Sequence, residues 1–342
     1  MTTPQRHRNL FIGLGGFFLL ALLTNLALGQ VAIPLKEVLK SLIGTTAEKS
    51  TWEYIIIHFR LPKALTAIIV GMGLSTCGLL MQTLFRNPLA GPYVLGLSSG
   101  SSLGVAFVIM GATLLPAAIG SLLVSPYGIV IASCLGSFAV LLLVLIVARK
   151  LRDTAGLLIV GLMFGSFTSA IVSILSYFSS AEQLQRFTFW SMGNIGNLSY
   201  GSIAILATCL FIGLLISLFS IKALDGLLLG ENYAASMGIP IRRSRLLIIT
   251  ATCLLSGSIT AFAGPIAFLG LAVPHLAKLL FQTHNHRTLF GATLLLGAGL
   301  MLCCDTVSQL PGFNFTLPIN AITSLVGAPV VIWLLVRKKS LL

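Results

Sequence analysis

The chain has 342 residues, 56% of them hydrophobic and 8% charged, with a formal net charge of +13 and a mean hydropathy of +1.02. Soluble domains carry about 25% charged residues, so this composition excludes a water-soluble globular fold and an intrinsically disordered chain.

Windows of about 20 mostly apolar residues, the length needed to cross a bilayer, fall at 10–28, 62–83, 93–111, 126–148, 155–178, 200–220, 244–263, 265–281, 288–304 and 319–336. They predict an all-α polytopic membrane protein of about ten transmembrane helices. Connections are short, and a single membrane domain over residues 1–342 is expected. Arg6 and Arg8 before the first window, and Ala27-Leu28-Gly29 at its end, loosely imitate a signal peptide. The apolar stretch exceeds the roughly 7–15 residues of a signal core, so a retained helix is expected.

The second window carries Gly71, Ser75, Gly78 and Gln82 at spacings that place them on one helical face. The fifth repeats the device with Ser166, Ser169, Ser173, Ser176 and Ser180, opposite Phe167, Ile171, Ile174 and Phe178. Two readings stand. Small residues let transmembrane helices approach and hydroxyls bond across the contact, or the two faces border an aqueous translocation path. Gln82 costs too much to face lipid and must meet protein or water. The path reading takes Gly71, Ser75, Gly78, Gln82, Ser166, Ser169, Ser173 and Ser176 as lining.

Between the sixth and seventh windows, residues 222–242 form a long connection. Asp225 to Pro240 reads as two short helical pieces. The second begins near Glu231, whose acid suits the positive end of the helix dipole, and Gly238 and Pro240 stop it. Further on, AGPIAFLGLAVPH (Ala263 to His275) and LPINAITSLVGAP (Leu317 to Pro329) are apolar runs interrupted by Gly and Pro. Interrupted backbone at membrane depth is tolerated where protein or a water-filled cavity satisfies it, which points to transport.

Placing the N-terminus in the cytoplasm puts fifteen of the 21 basic residues on that side, as the positive-inside rule requires. Only Lys36, Lys40, Lys49, Arg60, Lys63 and Arg186 fall outside, so a nucleic-acid partner is not needed to explain the charge. Both termini are then expected in the cytoplasm. Cys77, Cys134, Cys209, Cys253, Cys303 and Cys304 lie in apolar windows without ligand-like spacing and read as small core residues, with no metal site. The chain has no HExxH or P-loop motif, so it is expected neither to be an enzyme nor to hydrolyse ATP itself.

The chain resembles the FecCD family of ABC-transporter permeases. The resemblance rests on FRLPKALTAIIVG (Phe59 to Gly71), GLLMQTLFRNPLAGPYVLG (Gly78 to Gly96), FWSMGNIG (Phe189 to Gly196) and LLLGENYAASMGIP (Leu227 to Pro240). It continues through AGPIAFLGLAVPHLAKLL (Ala263 to Leu280) and LPINAITSLVGAPVVIWLL (Leu317 to Leu335). It implies a type II ABC importer permease fold in a bacterial inner membrane, pairing with a second permease copy, by default as a homodimer. It also implies a cytoplasmic ATPase that binds the ATP, no cofactor of the chain's own, and an extracytoplasmic substrate-binding protein. The implied cargo is an iron-siderophore, haem or cobalamin. By the same resemblance, Gly230, Glu231, Ala234, Ala235, Met237 and Gly238 fall in the loop that couples to the ATPase. Arg60 and Lys63 fall where basic residues meet the binding protein. Gln309, Thr316 and Asn320 depart from the family pattern, where a basic residue, Glu and Gly are usual.

Overall fold

The computed structural model describes residues 4–45, 48–88, 90–91, 96–111, 120, 124–150, 154–196, 198–309 and 315–339. Among them there is no strand. All ten apolar windows are helical, as the composition predicts. They correspond to α1 (Pro4–Ala27), α4 (Leu61–Leu84), α5 (Leu97–Gly111), α6 (Pro126–Lys150), α7 (Thr154–Tyr177), α9 (Tyr200–Phe219), α12 (Ile241–Ala263), α13 (Leu269–Phe281), α14 (His286–Ser308) and α15 (Ile319–Lys339). Short helices fill the connections: α2 (Leu35–Ile43), α3 (Ser50–Ile55), α8 (Ala181–Ser191), α10 (Ile221–Leu228) and α11 (Glu231–Ser236). A wide π-helical turn, Ile56–Arg60, joins α3 to α4.

Among the described residues, six stretches are long and apolar enough to cross a membrane: Gln5–Ala27, Ser50–Leu84, Ile159–Tyr177, Tyr200–Phe219, Ile241–Ala263 and His286–Ser308. Of the helices in the other four windows, α6 has 25 residues and α15 has 21, while α5 and α13 are shorter, with 15 and 13. Large apolar side chains stand exposed on the helices, among them Ile131, Leu135 and Phe138 on α6 and Phe211 and Leu218 on α9. Water would penalise such a surface at about 25 cal/mol per Å²; hydrocarbon does not.

The chain divides into two compact units. One comprises Met1–Thr76, Asn194–Thr208 and Ala267–Leu342, in which α14 packs against α1, α13 and α15. The other comprises Cys77–Gly193 and Cys209–Ile266, in which α5 packs against α6, α7, α8 and α12. Its core includes Leu80, Met81, Leu84, Leu224, Leu227, Ile248 and Ile249, all buried.

The two interrupted runs differ from each other. The first is a real break: residues 264–268 are not helical, and Phe268 adopts left-handed backbone with φ 66°. The freed Ala267 amide donates to Asn320 Oδ1 at 3.0 Å, and Phe268 Cβ lies only 2.3 Å from where a Cβ on Gly327 would sit. The second run is not broken. α15 continues from Ile319 through Pro329 to Lys339, because a proline removes a single amide donor, which a packed membrane helix tolerates.

Candidate functional site: small-residue faces, buried polar cluster and connecting helix pair

The face of α4 that carries Gly71 and Ser75 is an interior seam. A Cβ on Gly71 would stand 2.3 Å from the carbonyl oxygen of Gly297 on α14, and one on Gly297 would stand 2.5 Å from that of Gly71. Only glycine allows backbones this close. The Ser75 hydroxyl completes the contact, donating to the Thr293 carbonyl at 3.1 Å and to that of Gly71 at 2.6 Å. Gly78 and Gln82, further along the face, are buried as well. Of the two readings of this face, close helix packing is the one its geometry displays.

The serine face of α7 is different. Ser166, Ser169 and Ser173 are exposed and Ser176 is half-buried, while the side turned to protein holds Thr168, Val172 and Leu175. Two details correct the sequence expectation. Ser180 lies beyond the helix end at Tyr177, where it caps α8 in a reciprocal capping box with Gln183. Phe167 and Ile174 are not turned inward but are exposed beside the serines, so the surface is mixed rather than purely polar. The Ser166 and Ser173 hydroxyls donate to the carbonyls of Leu162 and Ser169 within their own helix.

Arg60 and Lys63 do not stand free at the outer ends of the helices. Arg60 is buried, and its guanidinium donates to the carbonyls of Leu26 and Ala27, at 2.5 and 2.8 Å, and to that of Val31. The first two are carbonyls that the end of α1 leaves without helical partners. Lys63 pairs with Asp305 at 2.9 Å, the carboxylate being completely buried. Asp305 also accepts from Asn25 Nδ2 at 2.8 Å and from Gln309 Nε2 at 2.9 Å. Both cations thus have partners within the chain, Arg60 buried and Lys63 partly exposed.

Gln309 and Asn320, two of the positions that depart from the family pattern, thus serve the fold. Thr316 is exposed. Asn25 was not singled out from the sequence, although an amide in an apolar window is a signal in its own right.

The long connection between α9 and α12 folds as the two predicted pieces, α10 and α11. Gly230, with φ 111°, makes the corner between them, a backbone angle that a side chain would resist. Glu231 opens α11 and pairs with Arg245 on α12. Ala234 is fully buried, whereas Leu229, Tyr233 and Met237 are exposed, as are Ala235 and Gly238. Apolar side chains thus project from a polar connection.

Among the described residues no group of His, Cys, Asp and Glu could hold a metal ion. Residues 17–337 match the model of the FecCD transport family. The hemin transport system permease protein HmuU of Yersinia pestis is 33% identical over 94% of this chain and 95% of its own length. The vitamin B12 import system permease protein BtuC of Klebsiella pneumoniae is 32% identical over 98% and 96%. A solved structure of a metal-chelate type ABC transporter in an inward-facing conformation superposes with a TM-score of 0.83 at 28% identity, covering 96% of this chain and 99% of that one. The sequence resemblance and the all-α fold are both upheld, and the chain belongs to the FecCD transport family.

Proposed function

We propose that the chain is the membrane-spanning permease subunit of an ATP-driven importer whose cargo is a metal chelate, haem or a cobalamin. The observation that carries this reading is the α10–α11 pair. It projects Leu229, Tyr233 and Met237 from a connection between two spans, in a chain with no nucleotide-binding loop of its own. Such a surface suits a groove on a separate ATPase, with Ala235 and Gly238 close enough to the partner to feel any added bulk. The exposed serine face of α7 then meets its counterpart on a second copy of the chain around a weakly polar route. A lining with few fixed charges lets cargo leave as readily as it enters. A binding protein delivers the cargo from outside.

Proteoliposomes holding the chain, an ABC ATPase and a binding protein from the same source test this with labelled haem, cobalamin and a ferric siderophore. Accumulation of one of them should require ATP, and Ala235→Arg should abolish it without lowering the amount of chain inserted. Uptake driven by an ion gradient in the absence of ATP would overturn the reading.

A further inference from the structure

The segment between α1 and α4 is more than a connection. Its helix α2 divides into three arcs at the helical spacing of 100° per residue. Glu37, Val38 and Ser41 form a buried arc that packs on α1, α3 and the π-helical turn. Leu35, Leu39, Leu42 and Ile43 form an exposed apolar arc, Ile43 being 78% exposed. Lys36, exposed, and Lys40, half-buried and paired with Glu37, lie along one edge of that arc.

The height of α2 is fixed by hydrogen bonds to the ends of the two spans. The amide of Ile33 donates to the carbonyl of Ala27, the last residue of α1, at 3.1 Å. Arg60, one residue before α4 begins, holds the Val31 carbonyl. α2 therefore starts within a few residues of the level at which both helices end. The Glu48 amide donates to the Glu37 carboxylate at 2.9 Å. Trp52, Tyr54 and Phe59 lie on the adjoining stretch. The Lys49 ammonium sits 4.8 Å above the Trp52 ring, and Tyr54 packs against Phe59. Tyr54 and Phe59 are both exposed. Aromatic side chains collect at the membrane–water boundary because one end of the ring is apolar and the other wet.

Charge decides what kind of surface this is. Lys36, Lys40 and Lys49 are balanced by Glu37, Glu48 and Glu53, and Lys40 is already paired with Glu37 at 2.8 Å. Arg60 brings the formal charge of the segment to +1, but its guanidinium is buried on backbone carbonyls, which leaves the remaining cations and anions balanced and little charge with which to attract an anionic surface.

We propose that α2, flanked by Trp52, Tyr54 and Phe59, is an interfacial anchor whose Leu35, Leu39, Leu42 and Ile43 arc inserts at the headgroup–acyl boundary of a zwitterionic phospholipid leaflet. Amphipathic helices of this kind lie in the interface plane with the apolar face about 5–10 Å deep. The anchor holds by buried apolar area and not by charge. It rests on the membrane embedding of the chain and is independent of cargo and ATPase.

The test uses the full chain in phosphatidylcholine nanodiscs, with Lys36→Cys, Leu39→Cys and Ile43→Cys each labelled by a fluorophore and the parent chain carried through the same labelling as a blank. The three positions are exposed, so the substitutions leave the fold intact. A nitroxide attached high on the lipid acyl chain should quench the labels at 39 and 43 more strongly than aqueous iodide does, and the order should reverse at 36. The pattern should persist when salt is raised and when anionic lipid is added. Three outcomes overturn the proposal: iodide reaching 39 and 43 as readily as 36, neither quencher reaching them because another protein covers the arc, or lipid quenching that appears only with anionic lipid. None of these readouts involves transport, so a failed cargo assignment leaves the result standing.

Discussion

The small-residue face of α4 and the serine face of α7 are nearly the same pattern in sequence and have opposite fates in the fold. Gly71 and Ser75 meet a second glycine face, at Gly297, and the backbones close to contact. Ser166, Ser169 and Ser173 stand exposed, and the Ser166 and Ser173 hydroxyls turn back to carbonyls of their own helix. The difference lies in what stands opposite and not in the face itself: a small-residue stripe becomes a seam only when another helix offers a matching stripe. An exposed stripe keeps its freedom to face lipid, a second copy or cargo.

The largest effect should come from filling the seam. Gly71→Leu places side-chain atoms where the Gly297 carbonyl already sits 2.3 Å from the missing Cβ, and backbone cannot yield as a side chain can. Loss of folded, monodisperse protein in size-exclusion chromatography is expected, whereas Ser169→Leu should elute as the parent does. Equal recovery of the two variants would erase the distinction between the faces.

The next effect belongs to the polar part of the interior. Asp305→Ala strands the Lys63 ammonium, which is 18% exposed, together with the amides of Asn25 and Gln309. Breaking a buried pair by removing one partner costs about 3–5 kcal/mol, and the thermal midpoint should fall accordingly. Combining Lys63→Met with Asp305→Leu should recover part of the loss, since the unpaired charge is gone but the two amides still lack an acceptor.

How much of this could be read beforehand follows from the physics of each feature. Helix positions were legible because apolar windows of spanning length are a strong local signal, and α10 and α11 were legible because Gly230, Gly238 and Pro240 punctuate them. The fate of Arg60 was not. A basic residue at a helix start reads equally as an outward charge or as a cap for a neighbouring helix, and only the position of the end of α1 decides between them. The unbroken course of α15 through Pro329 was illegible for a related reason, since a proline removes one donor and surrounding packing settles whether the helix bends. The buried Asp305 network joins residues some 280 positions apart, a pairing that no local pattern encodes.

A smaller effect is expected where a charge pair lies outside the interior. Glu231 and Arg245 are 41% and 27% exposed, and pairs of that kind contribute about 0–1 kcal/mol. Glu231→Gln should barely move the thermal midpoint. If α10 and α11 transmit closure of an ATPase, it should still lower ATP-dependent uptake, because the pair ties the start of α11 to α12. A fall in stability as large as that of Asp305→Ala would place the pair in the interior, contrary to its exposure.

The smallest change in stability should come from the exposed serines, and here the two candidate surroundings of α7 separate. Surface substitutions away from special features usually stay within about 0.5 kcal/mol, so Ser169→Leu and Ser173→Leu should leave the midpoint unchanged. Because the Ser173 hydroxyl is satisfied by the Ser169 carbonyl at 3.0 Å, a lipid-facing helix would accept leucine at either position without functional consequence. A helix that borders the route would instead lose uptake, since two added isobutyl groups narrow a path with little else to define it. Phe167→Ala supplies the internal control: Phe167 is exposed beside the serines, and shortening it should leave uptake intact if the route runs along the serine edge. Uptake that survives both leucines but fails with Phe167→Ala would transfer the route to the aromatic edge of the same helix.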